Sequence, residues 1–250
     1  MQVLILCGGK GTRAYPYTEH IPKPMLPICG QPILLHVMRI YADQGHREFI
    51  LSLGYRKEII IDYFQGRFRD LKIHFMDTGE EAETAERIKK CSDYLEETFF
   101  ATYADGLGNV NLSNLLEFHK SHGGLATLTA VPLPSQYGII EIDRNEQVSS
   151  FKEKPIIRDY WINAGFFVFD KSVFKYWEGK NLEKQILPEL GRKKMLFAYR
   201  HSGFWKSMDS FKDHQELEII LGKNQDICKV HQGLPVEEVK VFEAREEFQG

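Results

Sequence analysis

LCGGKGTR, residues 6–13, closes the first apolar run of the chain, VLILC, which begins at residue 3. A short apolar run that stops at glycines predicts a buried strand followed by a loop. The glycines allow backbone N–H groups to face a ligand, and Lys10 and Arg13 add positive charge. The stretch therefore predicts a strand with a polyphosphate-binding loop at its carboxyl end. For the loop taken alone, an ordinary tight turn is the alternative.

The spacing of this loop argues against two common nucleotide-binding motifs. Walker A requires Ser or Thr after Gly-Lys, but Lys10 is followed by Gly11. The dinucleotide fingerprint matches Gly9, Gly11 and Ala14, but it requires a helix that the four prolines between residues 16 and 27 oppose. The next predicted strand also lacks the terminal acidic residue that would hold a ribose. The loop must therefore be interpreted together with the residues downstream of it.

Composition limits the possible functions of the chain. Its 250 residues suffice for one large α/β domain, and no linker-like stretch divides them. A formal net charge of -3 argues against a nucleic-acid-binding protein, which would carry a basic excess. Four cysteines at irregular spacing predict neither a disulfide framework nor a zinc site. With no signal-peptide pattern and no apolar run of membrane-spanning length, we expect a cytoplasmic protein without a membrane partner.

Strand and helix patterns alternate through the first half of the chain, which predicts a parallel sheet flanked by helices. The predicted strands are 2–6, 48–53, 72–76, 97–103 and 125–131. The predicted helices are 31–44, 56–65 and 111–121.

After residue 131 the pattern becomes antiparallel. YGIIEID (137–143) and QVSSFKEKP (147–155) flank a turn at Arg144-Asn145, and INAGFFVF (162–169) follows with Gly165 inside it. The remaining predicted elements, interpreted as a cap on the parallel core, are helices 171–177, 182–190 and 210–221 and a strand at 195–200. The predicted fold class is α/β, a Rossmann-like doubly wound and mostly parallel sheet with an antiparallel excursion.

Lys23 lies between two prolines in HIPKPMLPI, residues 20–28. Prolines on both sides fix the backbone that carries this cation. Alone, the segment would indicate a stiff surface loop with a solvated lysine. Ten residues after the glycine loop, it predicts that Lys23 and Arg13 face the same phosphates, one as a point charge and one as a planar fork.

GGKGTR, Thr18 and PKPM together resemble the signature of the sugar-phosphate nucleotidyltransferases, which join a sugar 1-phosphate to a nucleoside triphosphate and release pyrophosphate. Six further segments resemble the glucose-1-phosphate cytidylyltransferase branch of that family: DTGEEAETAERIKK (77–90), TYADG (102–106), YG (137–138), FKEKP (151–155), INAGFF (162–167) and GFWKSMDS (203–210). The resemblance implies a single nucleotidyltransferase domain, 1–250, with a nucleotide-binding half (1–131) and a sugar-phosphate-binding half with a C-terminal cap (132–250).

The same resemblance implies the reaction and its central residues. CTP and a sugar 1-phosphate, in the first place glucose 1-phosphate, would give CDP-sugar and pyrophosphate for polysaccharide biosynthesis. Arg13, Lys23 and Lys154 are the implied catalytic residues, and Asp105 and Asp209 the implied ligands of Mg²⁺. From the residues alone, Asp105 also fits an Asp-Gly turn and Asp209 a helix N-cap. We further expect a homo-oligomer.

The resemblance assigns two groups of binding residues. For the nucleotide they are Leu6, Gly8, Gly9, Gly11, Thr12, Arg13, Thr78, Gly79, Thr84, Arg87 and Asp105. For the sugar phosphate they are Lys23, Tyr137, Gly138, Glu153, Lys154, Asn163 and Gly165. Charges alternating along a strand are the alternative interpretation of Glu153 and Lys154, and core packing is that of Tyr137.

Three alternatives remain open at this stage. Because this chain has Ala85-Glu86 where the branch has two glycines, dTTP, UTP or GTP could replace CTP. The phosphorylated acceptor could differ from glucose 1-phosphate. A regulatory module of the same fold without turnover is the non-enzymatic alternative, although such modules usually lose the cationic loop or a metal carboxylate. His36, His119, His122 and His201 are interpreted as structural, and Phe166, Phe167 and Phe169 as core.

Overall fold

A seven-stranded sheet lies at the centre of the structure, a computed structural model that describes residues 1–12, 17–224 and 226–228. The strands are β1 (Gln2–Leu6), β2 (Pro27–Ile28), β3 (Gln31–Pro32), β4 (Glu48–Leu53), β5 (Lys72–Asp77), β6 (Thr98–Tyr103), β7 (Gly106–Gly108), β8 (Ala126–Pro134), β9 (Ile139–Ile142), β10 (Val148–Lys152), β11 (Ile156–Asp170), β12 (Leu196–Arg200) and β13 (Trp205–Ser207).

Helices cover both faces of this sheet. The α-helices are α1 (Ile33–Ala42), α2 (Lys57–Phe64), α3 (Thr84–Lys90), α4 (Leu112–His122), α5 (Leu187–Arg192) and α6 (Phe211–Lys223). Short 3-10 turns cover Tyr17–Glu19, Lys23–Met25, Ser92–Tyr94 and Lys171–Tyr176, and a π-helical turn covers Leu182–Ile186. Within the described ranges, no helix is both long and apolar enough to cross a membrane.

The sheet is parallel except for one strand. Its order is β12-β8-β11-β6-β1-β4-β5, and β11 runs antiparallel to both of its neighbours. Three two-stranded sheets, β9 with β10, β7 with β13 and β2 with β3, complete the strand pairing. This architecture confirms the predicted fold class, including the antiparallel excursion.

The C-terminal part of the chain contributes to the central sheet more than predicted. The strand expected in a cap at 195–200 is β12, which pairs in parallel with β8 at the edge of the main sheet, so the interpretation as a cap is wrong for this strand. β11 lies between β8 and β6 because residues 164–169 are buried on both faces. The two predicted halves of the domain therefore share one sheet, and their separate binding tasks stay a prediction.

Two elements near the candidate site were not predicted. α3 has only seven residues, and its first turn is closed by a capping box between Glu83 and Glu86. Glu is not a preferred N-cap residue, so the pattern gave no ordinary start signal. β7 has the sequence GLG, which indicates a turn, and it becomes a strand only because β13 pairs with it.

Two hydrophobic clusters hold the sheet between its helices. Phe166 and Val168 belong to the cluster on the α1 face, and Phe167 and Phe169 to the cluster on the α3 face. Alternation along a strand sends successive side chains to opposite faces. The three phenylalanines are at most 1% exposed, which confirms that they are core residues, each contributing about 1.5–3 kcal/mol by burial.

The four histidines interpreted as structural are hydrogen-bonded inside the fold. His36 Nε2 lies 2.8 Å from a backbone carbonyl oxygen, and His201 Nε2 lies 3.2 Å from another. His119 and His122 share the hydroxyl of Thr127 at 2.9 and 2.8 Å. These contacts agree with a structural role for all four.

Candidate active site

The glycine loop follows β1 near the middle of the sheet, between the ends of β6 and β4. Parallel strands bring their carboxyl ends to one edge, which is where open α/β sheets bind ligands. Asp105 follows the end of β6 at this edge, beside the loop. The sheet therefore places the predicted phosphate loop and one predicted metal ligand next to each other.

Lys23 is held rigidly at this edge. Pro22 is extended, with φ -64° and ψ 142°, and the N–H of Met25 donates to its carbonyl at 2.8 Å. The lysine is 8% exposed, so the surface-loop alternative is wrong. Its Nζ lies 2.5 Å from Asp105 Oδ2 and 3.3 Å from Asp209 Oδ1. One buried ammonium thus joins the two carboxylates predicted to hold the metal.

A short antiparallel ribbon brings these two carboxylates together. β13 pairs with β7 so that Ser207 lies opposite Gly106, and the N–H of Met208 donates to the Asp105 carbonyl at 2.9 Å. Asp209 follows directly, and its Oδ2 accepts from Ser207 Oγ at 2.8 Å. The GFWKSMDS segment therefore contains β13, the strand that pairs with β7 directly after β6.

The helix-cap interpretation of Asp209 is wrong. The N-cap of α6 is Ser210, whose hydroxyl accepts from the N–H of Asp213 at 3.3 Å, while Asp213 accepts from the N–H of Ser210 at 2.8 Å. This capping box satisfies the helix start. The Asp209 carboxylate faces Lys23 instead, and Asp105 lies in a bend joined to the ribbon rather than in a free turn.

The paired carboxylates fit the preferences of Mg²⁺. This ion commonly takes one or two protein carboxylates and completes its shell with phosphate oxygens and water. Among the residues the structure describes, no three His, Cys, Asp or Glu side chains form a group suited to a metal. Asp105 and Asp209 would therefore hold such an ion together with the substrates' phosphates.

Gly11 allows the loop to lie against Lys23. Its φ of +63° favours glycine, and an added Cβ would come within 2.8 Å of Lys23 Cβ. Thr18 Oγ1 donates to the Gly11 carbonyl at 3.1 Å and fixes the loop. Arg13 lies outside the described residues, so its role stays a prediction. Lys10, with no predicted catalytic role, pairs with the exposed Glu81 at 2.6 Å.

Arg87 occupies a different place from the one predicted. It is 3% exposed, and its guanidinium lies behind the loops that edge the expected base site. The guanidinium donates to the carbonyls of Gly8, Leu53, Gly79 and Glu80 and to the Thr78 hydroxyl, at 2.7–3.1 Å. A Cβ on Gly8 would overlap this group. Arg87 thus supports the loops, and a direct base contact by its side chain is not what the structure shows.

Thr78 and Thr84 also direct their hydroxyls to the protein. Thr78 is buried, and its hydroxyl donates to the Leu53 carbonyl at 2.7 Å. Gly79 follows in a turn at the edge of the sheet, with φ +87°. Thr84 Oγ1 donates to Glu183 Oε2 and accepts from the N–H of Leu182, both at 2.8 Å. Any nucleotide contact in this segment is therefore expected from its backbone.

The departure at Ala85-Glu86 has a structural explanation. Ala85 is fully buried against the core cluster of α3, and the Glu86 carboxylate accepts from the N–H of Glu83 at 3.1 Å. One side chain fills the core and the other closes the capping box. The two residues in place of glycines are thereby accommodated by α3 itself.

The predicted sugar-phosphate residues come from two places. Glu153 and Lys154 follow the end of β10, with their charged atoms 3.6 Å apart, so the alternating-strand interpretation is wrong. Gly138 packs under this segment, because an added Cβ would come within 3.0 Å of Glu153 Oε2. Tyr137 is 77% exposed, which excludes core packing.

Asn163 and Gly165 lie at an irregularity in β11, where the register with β8 shifts. Gly165 has φ +81° and packs against the ring of Tyr103, and its N–H donates to Asn163 Oδ1 at 2.9 Å. Bulges of this kind re-aim side chains beside active sites. The bulge turns Asn163 towards Tyr103, two residues before Asp105. Tyr103 and its partner Glu183 had no predicted role: Tyr103 lies in the TYADG segment, where only Asp105 was assigned, and Glu183 lies in no segment that carried the resemblance.

Comparison with known proteins gives the family. The family model described as nucleotidyl transferase matches residues 2–214. A probable glucose-1-phosphate cytidylyltransferase of Bacillus subtilis (strain 168) is 38% identical over 92% of this chain and 100% of its own length. Glucose-1-phosphate cytidylyltransferase of Salmonella typhimurium is 36% identical over 90% of this chain and 97% of that protein.

A solved structure has a similar fold. HddC from Yersinia pseudotuberculosis, complexed with GMP-PN, has a TM-score of 0.69 and 26% identity, covering 88% of this chain and 99% of its own. The range matched by the family model includes the glycine loop, the Lys23 segment and both carboxylates of the candidate site. The chain therefore belongs to the nucleotidyl transferase family, and it is a nucleotidyltransferase enzyme.

Proposed function

We propose that this chain transfers the cytidylyl group of CTP to glucose 1-phosphate, giving CDP-glucose and pyrophosphate with Mg²⁺ as cofactor. The observation that carries the proposal is the convergence of Asp105 and Asp209 on Lys23, built from three separate segments. The cytidylyltransferases that are 36–38% identical over nearly the whole chain support the choice of substrates.

In the proposed reaction an oxygen of the acceptor phosphate attacks the α-phosphorus of CTP. The bond from that phosphorus to the oxygen bridging to the β-phosphate breaks, and pyrophosphate leaves in line. The acceptor phosphate is already ionised at neutral pH, so no protein base is needed. Catalysis then depends on positioning and on charge neutralisation.

Each proposed catalytic residue meets one of these needs. Lys23 is proposed to neutralise the triphosphate, and Arg13 to act on the charge of the transition state. Asp105 and Asp209 would hold Mg²⁺, which supplies further neutralisation of phosphate charge when bound. Lys154 is proposed to bind the acceptor phosphate, and its side chain is about half exposed beside Glu153.

The remaining proposed contacts bind the base and the sugar. For the nucleotide we propose the backbone of Leu6, Gly8, Gly9, Gly11, Thr12, Thr78 and Gly79, with Thr84 and Arg87 as supports. For the sugar we propose Tyr137, Gly138, Glu153, Asn163 and Gly165. Polar contacts that become buried when the sugar binds would discriminate strongly, because a group left unmatched there loses its partner.

A purine nucleotide is the second candidate. HddC, at 26% identity, was solved with the guanine nucleotide analogue GMP-PN, so GTP is a specific alternative to CTP. dTTP and UTP remain further alternatives, as do other phosphorylated acceptors. The non-catalytic alternative is disfavoured because Lys23, Asp105, Lys154 and Asp209 are all present. Cytoplasmic location and homo-oligomerisation stay predictions from the sequence.

Pyrophosphate release tests this proposal directly. The purified chain is assayed with CTP, UTP, dTTP, ATP and GTP, each with glucose 1-phosphate, mannose 1-phosphate or galactose 1-phosphate and Mg²⁺. We expect the highest kcat/KM for CTP with glucose 1-phosphate, and no release when the acceptor is omitted. Preference for a purine would overturn the base assignment, and no turnover with any pair would overturn the proposed activity.

A further inference from the structure

A continuous chain of hydrogen bonds connects α3 to the bulge in β11 through the carboxylate of Glu183. On one side, Thr84 Oγ1 donates to Glu183 Oε2 at 2.8 Å. On the other side, the Tyr103 hydroxyl donates to Glu183 Oε1. Asn163 Nδ2 then donates to the Tyr103 oxygen over 3.5 Å, and the N–H of Gly165 donates to Asn163 Oδ1 at 2.9 Å.

Glu183 is held in place from its own segment as well. It lies in the π-helical turn Leu182–Ile186, whose first turn is capped by the Asn181 side chain accepting from the N–H of Lys184. The Asn181 amide also donates to Glu83 at 2.9 Å. π-Helical turns often occur at functional sites. The turn that carries Glu183 is therefore held against the start of α3 by two contacts, Asn181 with Glu83 and Glu183 with Thr84.

The carboxylate sets the direction of the two hydroxyl hydrogen bonds in this chain, and the N–H of Gly165 sets that of the last one. An ionised carboxylate only accepts, so the hydroxyl protons of Thr84 and Tyr103 both point to Glu183. The Tyr103 oxygen is then an acceptor, and it takes an N–H of the Asn163 amide. The carbonyl end of that amide faces Gly165, so the amide presents N–H groups on its other end.

We propose that Glu183 is a positioning residue for acceptor binding, which acts through Tyr103 to hold the Nδ2 end of the Asn163 amide in place as a hydrogen-bond donor. The proposal rests on the proposed function, because it takes the acceptor to be a sugar phosphate bound at Asn163. The recognised group is a hydroxyl or phosphate oxygen that accepts from this amide.

Replacing the carboxylate with an amide tests the inference. In E183Q the new amide can donate to the Tyr103 oxygen in competition with Asn163 Nδ2. The Asn163 amide then keeps its contact with the N–H of Gly165 but loses the one that holds its donor end. We expect KM for glucose 1-phosphate to rise about tenfold, the loss of one hydrogen bond, with kcat and the KM for CTP changed less than about twofold. Y103F should raise the same KM by a similar factor.

Controls separate positioning from a structural effect. E189Q makes the same chemical change on α5, where the carboxylate pairs with Arg192 and Lys193, and should leave all constants unchanged. The double variant Y103F/E183Q should be no worse than Y103F, since Glu183 acts through that hydroxyl. Additive effects, a fall in kcat with unchanged KM, or an unchanged KM for glucose 1-phosphate would each overturn the proposal.

An NMR measurement without substrate tests the role of Glu183 independently of the proposed function. The Tyr103 hydroxyl proton, identified by its loss in Y103F, should be observed by NMR at low field in the wild type and in E189Q and should shift in E183Q. An unchanged resonance would overturn the proposal even if turnover is normal. Absence of wild-type turnover with every nucleotide would instead count against the proposed function, and the resonance would still decide the role of Glu183.

Discussion

Arg87 uses its guanidinium to join the backbone of three segments at the carboxyl edge of the sheet. Carbonyls of the loops that follow β1 and β5, and the carbonyl of Leu53 at the end of β4, accept from this one side chain. Burial lowers the pKa of Arg87, but a guanidinium stays charged at working pH. The cation thus fixes the spacing between the glycine loop and the turn at Gly79, where the base is proposed to bind.

Replacing Arg87 with Lys should therefore destabilise the fold. An ammonium has three donors at a single point and cannot serve the five acceptors that the two terminal nitrogens of Arg87 reach, so buried carbonyls lose their partners. We expect R87K to lower the free energy of unfolding by about 2–4 kcal/mol in urea titrations, and to raise the KM for CTP. R47K is the matched control, because Arg47 pairs with Asp70 at the surface and its replacement should cost less than about 1 kcal/mol. Equal costs for the two variants would contradict this account.

Individual residues differ in how well the sequence predicts their tasks. Lys23 was predicted because prolines on both sides restrict its backbone, and a local pattern is enough to show that. The task of Arg87 depends on four carbonyls from three separate segments, and no spacing in one segment reveals it. The same holds for Glu183, whose partners Thr84 and Tyr103 come from other elements.

The contact between α4 and β8 depends on a pair of neutral histidines. The N–H of Gly124 donates to His122 Nδ1 at 2.9 Å, so the His122 Nε2–H donates to Thr127, whose hydroxyl in turn can donate to His119 Nδ1. Burial, followed by the nearby His122, lowers the pKa of His119 from 6.5 to about 4. Protonation of His119 would remove the acceptor and break the chain between helix and strand.

Stability should therefore fall as the pH is lowered through this range. The unfolded chain binds the proton of His119 near pH 6.5 and the folded chain near pH 4, so the contribution is complete above the first value and lost towards the second. We expect a decrease of the unfolding free energy on the order of 3 kcal/mol between them. Urea titrations of H119Q should show a weaker pH dependence, while H20Q, at an exposed histidine, should match the wild type. An unchanged slope in H119Q would refute the assignment.

Elements were predicted best where their own pattern decides their structure. β1 and β4 begin and end at the predicted residues because apolar runs with clear ends form buried parallel strands. α3 was missed because its start is stabilised by Lys180, whose carbonyl accepts from the N–H groups of Ala85 and Glu86. Of β11, only residues 162–169 were predicted, and the place of this strand between β8 and β6 is a matter of pairing that hydrophobic pattern does not specify.

At the scale of the whole molecule, the sheet makes one site from distant parts of the chain. Lys23, Asp105 and Asp209 come from separate segments, and the β7–β13 ribbon sets the distance between the two carboxylates. The resemblance to the family identified these residues in the sequence. Their convergence, however, depends on the β7–β13 ribbon, which has three residues in each strand. The site is therefore a property of the complete fold.

This dependence predicts that Asp209 links catalysis to ligand-dependent stability. With CTP and Mg²⁺ about 100-fold above the dissociation constant, binding adds about 2.7 kcal/mol to wild-type stability, a rise in Tm of about 5–10 °C. D209N removes one of the two carboxylates, so turnover should fall at least about a thousandfold, and most of the Mg²⁺-dependent rise in Tm should be lost. Wild-type enzyme with CTP and EDTA should show the same small rise in Tm as D209N.

The matched control is E216Q, on α6 beside the ribbon, where the carboxylate pairs with Lys206 at 2.6 Å. It should keep turnover within about twofold and the full rise in Tm, as expected for a partly exposed ion pair. The ligand-free Tm of D209N should stay near that of the wild type, because Ser210 and Asp213 cap α6 without it. If D209N retained turnover, or if its Mg²⁺-dependent rise in Tm were undiminished, the metal would bind elsewhere. The contact between Lys23 and Asp209 would then not be part of the metal site.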